Sequence, residues 1–146
     1  GKSQRVGVIR FFVKDIWLFC ELPSGRCLAY PYPEVHPKMT PWGEPTEELS
    51  FMGMWKNKWL RETTYGGKLV ENITQAVSRD IMVTGMQNAE RDGFPIVMTV
   101  HDEVISDTPF GDDLEEFIRA LIRLPRWAQG LPINAEGFRS ERYVKR

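Results

Sequence analysis

A long stretch of helical periodicity in the middle of the chain constrains the fold more than any other feature. Apolar residues recur there at the spacing of one helix face, after Gly66-Gly67 and before Asp92-Gly93, which mark a beginning and an end. This stripe consists of Leu69, Val70, Ile73, Ala76, Val77, Ile81 and Thr84. We therefore predict one long helix, in which the apolar spacing is interrupted only at Gly85.

The residues before this helix are rich in aromatic and branched side chains, which are typical of strands. Pro23-Ser24-Gly25 interrupts them with residues suited to a three-residue hairpin loop. We therefore expect an N-terminal β-hairpin. In this N-terminal part of the chain, strands are predicted near Ile9–Val13, Trp17–Glu21 and Arg26–Ala29.

Five prolines between residues 31 and 45 remove backbone donors, so this stretch is predicted to be a loop or linker. A further short strand is expected over Leu49–Trp55, with Lys56-Asn57-Lys58 as its turn. We accordingly divide the chain into an N-terminal hairpin with its proline-rich loop, residues 1–46, and a C-terminal portion, residues 47–146, within a single compact unit overall.

Two apolar runs after the long helix, Ile96–Val100 and Val104–Ser106, predict a tight β-hairpin with His101-Asp102-Glu103 at or beside its turn. A shorter helix follows, in which Asp112 and Asp113 suit the N-cap and first turn. Its apolar stripe is Leu114, Phe117, Ile118, Leu121 and Ile122, and Pro125 ends it.

A final strand is expected near Ile133–Phe138. The predicted class is α+β: a small antiparallel sheet with a β-hairpin packed against one long and one shorter helix, plus the N-terminal β-hairpin.

Composition limits the class of protein. The chain has 146 residues, 42% hydrophobic and 27% charged, which suits one globular domain. Its formal net charge of −1 does not by itself indicate a nucleic-acid binder. No apolar run approaches the roughly 20 residues that span a bilayer, and no secretory signal is visible, so we expect a soluble intracellular chain. Cys20 and Cys27 are expected to be free thiols.

His101-Asp102-Glu103 is the strongest candidate for chemistry. A carboxylate on a rigid hairpin can bind Mg²⁺, which prefers one or two protein carboxylates together with waters and phosphates. Asp102 is the natural ligand, whereas Glu103 points to the other side of an extended strand and need not share the ion. The alternative is that these residues are polar simply because turns favour such residues.

A wider resemblance favours the catalytic interpretation. The stretch Tyr65–Asp80, read YGGKLVENITQAVSRD, followed by Val100-His101-Asp102-Glu103, strongly resembles the C-terminal part of family A DNA polymerases, especially phage and prophage members. The segment Leu22–Pro31 is similar to the part that precedes it in the same group. The resemblance covers most of the chain.

What the resemblance implies can be carried over residue by residue. Asp102 matches the palm-hairpin residue that binds the catalytic metals, two Mg²⁺ ions in the complete site, and Glu103 matches a supporting acid that is less clearly a direct ligand. His101 matches a residue that lies against the primer end. Gln75 matches a helix residue that reaches the minor groove, whose shared acceptors allow contact without sequence choice. Ser78-Arg79 departs from the small-residue pair of bacterial relatives.

The resemblance also implies partners and a place of action. These are primer-template DNA, deoxynucleoside triphosphates and the upstream remainder of the polymerase, in the cytoplasm of a bacterial host, with no membrane. No upstream acidic palm motif and no Lys- and Tyr-bearing fingers helix occurs in this sequence; Tyr65-Gly66 resembles only the tail of the latter. We therefore expect a C-terminal piece of a polymerase that is inactive alone.

Two other classes of function remain open. A metal-dependent nuclease would use His101 as base, with Asp102 and Glu103 as ligands and Asp80 or Asp107 as further acids. A non-catalytic nucleic-acid-binding or assembly module would instead use basic residues, which face phosphates in many proteins. Those residues are Lys68, Arg79 and the basic tail of Arg139, Arg142, Lys145 and Arg146.

Overall fold

The structure is a computed structural model and describes residues 3–109 and 111–144. Within them it has the predicted α+β class, with three small antiparallel sheets and two α-helices. The strands are β1 (Ser3–Val6), β2 (Ile9–Lys14), β3 (Trp17–Glu21), β4 (Cys27–Pro31), β5 (Glu34–Met39), β6 (Pro45–Trp55), β7 (Lys58–Thr64), β8 (Ile96–Val100) and β9 (Glu103–Ser106). The helices are α1 (Gly66–Arg91) and α2 (Leu114–Ile122).

The chain divides into two compact units, and the division falls between Val77 and Ser78, inside α1. The division after residue 46 stays a prediction, although β5 and β6 pair with each other across that position. No helix in the described part of the chain is both long and apolar enough to cross a bilayer.

The first unit contains two sheets, ordered β1-β2-β3-β4 and β5-β6-β7. The predicted strands of the N-terminal region are confirmed, and β1 and β7 are additions to them. Cys20, Leu22, Tyr30 and Ala76 form the buried core of this unit. Burial, with a smaller contribution from the neighbouring Cys27, raises the pKa of the Cys20 thiol to about 11, and both thiols are free.

The prediction of a loop over residues 31–45 was wrong in its middle. Residues 34–39 form β5, with Pro37 opposite Glu47 of β6. β5 is an edge strand, paired only with β6, and an edge strand tolerates the missing proline N–H because that position needs no second partner.

The second unit packs the hairpin β8–β9 against the C-terminal half of α1 and against α2. Ala89, Phe94 and Ala120 are its buried core, and Ile96 and Phe117 pack around them. Fully burying a side chain as large as that of Phe94 stabilises a fold by about 1.5–3 kcal/mol. The hairpin is therefore held by two helices and not by a larger sheet.

The predicted long helix is confirmed. Helix α1 runs without interruption through Gly85, where a Cβ atom would collide with the backbone carbonyl of Leu121 in α2. Glycine at this position therefore permits the close approach of two helices. The predicted acidic start of α2 is confirmed, since the Asp113 carboxylate accepts a hydrogen bond from the Glu115 N–H at 2.9 Å.

The predicted strand near Ile133–Phe138 is absent, and these residues have no regular structure. They lie against α2 instead of pairing with a strand. A Cβ atom on Gly137 would lie 3.1 Å from the Leu114 side chain and 3.4 Å from the Ile118 side chain of α2. An extended, apolar sequence forms a strand only where a sheet edge is available to it.

Candidate active site on the acidic hairpin

The hairpin β8–β9 places the predicted catalytic residues together at one turn. Val100 pairs with Glu103, so His101 and Asp102 form a two-residue loop, and Glu103 begins β9. At the other end of the hairpin, the Ser106 hydroxyl donates to the Pro95 carbonyl at 2.7 Å. We call residues 100–103 the acidic turn.

His101 has a backbone φ of 55°, in the left-handed region that non-glycine residues seldom occupy. Such a conformation costs about 1–2 kcal/mol and persists only where the surroundings impose it. Here the paired strands impose it, since Val100 and Glu103 on either side are in register. The side chains of His101, Asp102 and Glu103 are exposed to solvent.

Asp102 is exposed and lines one side of a cavity of about 200 Å³ in the second unit. Among residues 3–109 and 111–144, no hydrogen bond or ion pair engages its carboxylate. The walls of the cavity are mostly apolar, with the Ser78 hydroxyl as another polar group. Its other lining residues are Ile81, Met82, Val104, Leu121, Ile122, Ile133 and Ala135.

Glu103 has a different neighbour. The Tyr143 hydroxyl donates to the Glu103 carboxylate at 3.4 Å, while Asp102 and Val104 line the cavity. This alternation is what extended backbone produces, because successive side chains point to opposite sides. Desolvation, followed by the Glu103 charge and its hydrogen bond, raises the pKa of the Tyr143 hydroxyl.

The described residues contain no group of three or more His, Cys, Asp and Glu side chains that could hold a metal ion. Asp102 could therefore supply one ligand of a metal site but not a complete one. Asp80 and Asp107 do not join the acidic turn in such a group within the described residues.

The three predicted nucleic-acid contacts on α1 are exposed. Gln75 and Lys68 belong to the first unit, where the Lys68 ammonium pairs with Glu71 at 3.0 Å. Arg79 belongs to the second unit and its guanidinium lies 3.3 Å from the Met82 sulfur. No hydrogen bond engages the Gln75 amide among residues 3–109 and 111–144.

The basic tail is described only up to residue 144. Arg139 and Arg142 are exposed, and Lys145 and Arg146 lie outside the described residues. Sequence reasoning missed the role of this segment in the second unit, where Tyr143 reaches Glu103. A tyrosine forty residues away gives no periodic signal, so only the folded structure reveals the pairing.

Comparison with known proteins finds a similar sequence. A protein from Bacillus phage SP02 is 42% identical to this chain over 139 residues. It is named "DNA polymerase". The match covers 94% of this chain but only 21% of the phage protein, so the chain spans about a fifth of the length of that DNA polymerase. No protein-family model matches, and no solved structure matches.

Proposed function

We propose that this chain is the C-terminal part of a template-directed family A DNA polymerase and that Asp102 supplies a metal-binding carboxylate to nucleotidyl transfer. The observation that carries the proposal is the exposed carboxylate of Asp102, held on a packed turn in a chain similar to a phage DNA polymerase. Identity at this level extends over nearly all of the chain, which includes the acidic turn.

The residues present suit magnesium. Asp102 offers hard oxygen ligands with no competing cation among the described residues, and Mg²⁺ takes one or two such carboxylates together with water and phosphate. Asp102 would hold the metal, and Glu103, fixed by Tyr143, would support the turn. Two Mg²⁺ ions, when bound, supply stabilisation of the charge on the attacking and leaving oxygens. The remaining carboxylate would come from the upstream remainder of the polymerase.

The chain's other residues would bind and orient the substrates, primer-template DNA and deoxynucleoside triphosphates. His101 would lie against the primer end, beside Asp102 on the same turn. Gln75 has an exposed side-chain amide, whose N–H groups can donate to the acceptors of the minor groove. Arg79 would face phosphate, and Lys68 would exchange Glu71 for phosphate on binding.

The proposal is tested by Asp102→Asn in the longer polymerase that contains this sequence. The substitution removes a charge that acts on the transition state, so we expect the single-turnover rate to fall at least about 100-fold, since even supporting partners of a metal ligand are worth 10–100-fold. Affinity for primer-template DNA should change only a few-fold.

Asp107→Asn is the matched control. Asp107 is an exposed carboxylate directly after the same hairpin, and it should tolerate the change with little loss of rate. A polymerase that keeps most of its rate with Asp102→Asn, or loses as much with Asp107→Asn, would refute the assignment.

The chain by itself provides a second test, in primer extension with Mg²⁺ and all four nucleotides. We expect no template-dependent synthesis, because the described residues supply only part of a metal site. Synthesis above a control preparation would overturn the expected inactivity. Cleavage of a phosphodiester substrate that is lost with Asp102→Asn would show instead that the acidic turn serves a nuclease.

A further inference from the structure

A second surface of the molecule has the chemistry of a ligand site, and it lies in the first unit, at the end of the hairpin β6–β7. Trp55 pairs with Lys58, so Lys56 and Asn57 form its two-residue loop, with φ values of 47° and 61°. Positive φ at both loop positions is the geometry of the tight turns that join twisted strands. We call residues 54–60 the tryptophan tip.

The tip exposes unusually large apolar side chains. Trp55 is 61% exposed and Trp59 is 53% exposed, and Met54 and Leu60 are exposed beside them. Met54 pairs with Trp59 on one face of the hairpin, and Trp55 pairs with Lys58 on the other face, since directly paired residues share a face and successive residues alternate. The tip therefore carries one tryptophan ring on each face.

The same tip carries unneutralised positive charge. In the described part of the chain, neither Lys56 nor Lys58 forms an ion pair, whereas the other two cations on this sheet are paired, Lys38 with Glu48 and Arg61 with Glu34. Residues 54–60 contain no acidic residue. The Lys56 ammonium lies 5.9 Å from the centre of the Trp55 ring, which places a cation and a π-face at one point.

From these contacts we propose that the tryptophan tip binds single-stranded DNA, with bases stacked on Trp55 and Trp59 and phosphates held by Lys56 and Lys58. Exposed aromatic rings combined with free cations are the features that sequence-independent single-strand binders use. A duplex suits the tip less well, because its bases are already stacked on one another. An apolar protein partner suits it less well too, because covering the rings would remove water from two unpaired ammonium groups.

This inference goes beyond the proposed nucleotidyl transfer and does not depend on it, because the binding needs no metal and no nucleotide. The test is fluorescence anisotropy of a labelled oligothymidylate with the 146-residue chain, in the presence of EDTA. We expect Trp55→Ala or Trp59→Ala to weaken binding by about 5- to 100-fold, the loss that alanine substitution of a stacking ring produces.

Trp42→Ala is the matched control. Trp42 lies on the same sheet in the loop between β5 and β6 and is 86% exposed, but Glu44 stands close to it in sequence and the nearby Lys38 is paired with Glu48. Its removal should leave the affinity unchanged. Equal losses for Trp42→Ala and Trp55→Ala, or no measurable binding by the unaltered chain, would overturn the proposal.

The lysines give an independent readout if a tryptophan variant fails to fold. The logarithm of the binding constant should fall with the logarithm of salt concentration, and each of Lys56→Ala and Lys58→Ala should reduce that slope by about 0.7. An unchanged slope in the double variant would contradict phosphate binding at the tip. Stronger binding of a duplex than of the single strand of equal length would also overturn the proposal.

Discussion

The hairpins β6–β7 and β8–β9 carry opposite chemistry at their turns. Both loop residues have positive φ in the first hairpin, whereas of the two loop residues in the second only His101 does. Each joins its strands through two residues, Lys56-Asn57 in one and His101-Asp102 in the other. The first has basic and aromatic residues at its end, and the second has acidic residues. The backbone of a tight turn therefore presents side chains outward, and the residue types placed there decide whether the turn suits phosphates or a metal ion.

The two hairpins differ in what supports them. The strands of β6–β7 pair over seven positions and continue into a third strand, β5. The strands of β8–β9 pair over four positions, with a register shift between Ile96 and Met98, and form a sheet of only two strands. A two-stranded hairpin is marginally stable alone, so β8–β9 depends on its helices. The proposed catalytic turn is thus positioned by helix packing, and the tryptophan tip by its sheet.

Disturbing the contact between α1 and α2 should produce the largest difference in stability between the two hairpins. In Gly85→Ala, the new methyl group would meet the Leu121 carbonyl, so we expect a loss of about 1–3 kcal/mol in stability. Amide hydrogen exchange should speed up in β8 and β9 while β6 and β7 keep their protection, because their support lies in the other unit.

Gly66→Ala provides the control for that experiment. Gly66 is the first residue of the same helix, and a Cβ there has no atom within 4 Å among the described residues. It should change stability by no more than about 0.5 kcal/mol. Equal loss of protection in both hairpins with Gly85→Ala would show that they unfold together and would end the distinction between them.

The turns themselves offer a smaller effect. His101→Gly relieves a left-handed conformation that costs about 1–2 kcal/mol. The more flexible unfolded chain offsets about 0.4–1 kcal/mol of this. We therefore expect the free energy of unfolding, measured by thermal denaturation, to rise by roughly 0.5–1 kcal/mol. Asn57→Gly should give no gain, because asparagine already tolerates this conformation. In the longer polymerase, His101→Gly should lower the extension rate despite the gain in stability.

A gain at His101 no larger than that at Asn57 would show that the acidic turn is unstrained. A gain in stability without loss of extension would remove His101 from the proposed site. The comparison is informative because both residues occupy two-residue loops and both are exposed.

How far the sequence predicted these features depends on the range of the interactions involved. The hairpin β8–β9 and the helix α2 follow from local signals, apolar runs and an N-cap aspartate, and they were predicted well. The strand β5 was not predicted, because Pro37 does not indicate whether its segment will lie at the edge of a sheet, where a proline is tolerated. The sequence did not explain why glycine occupies position 85, because the reason comes from Leu121, a residue that only the folded helix pair brings near.

The candidate site divides in the same way. The sequence predicted that His101, Asp102 and Glu103 share one turn, since they are adjacent in the chain. It did not predict that Tyr143 engages Glu103 or that Ile133 and Ala135 line the cavity beside Asp102, because those contacts come from a segment without regular structure. An irregular segment has no period from which its contacts could be inferred.

Gln75 lies in neither hairpin, and its removal should have the smallest effect on the fold. Its amide is exposed on α1, so Gln75→Ala leaves no buried partner unsatisfied, and we expect the free energy of unfolding to change by less than about 0.5 kcal/mol. In the longer polymerase, the same variant should extend primers more slowly and distinguish a mismatched primer end less well, since both depend on hydrogen bonds in the minor groove. Denaturant midpoints and mismatch extension, measured on one preparation, separate the two properties. Normal mismatch discrimination in a variant of unchanged stability would exclude Gln75 from contact with DNA and would leave the acidic turn and the tryptophan tip as the DNA-facing elements. A loss of about 1–3 kcal/mol in the free energy of unfolding would mean that the Gln75 amide has a buried partner.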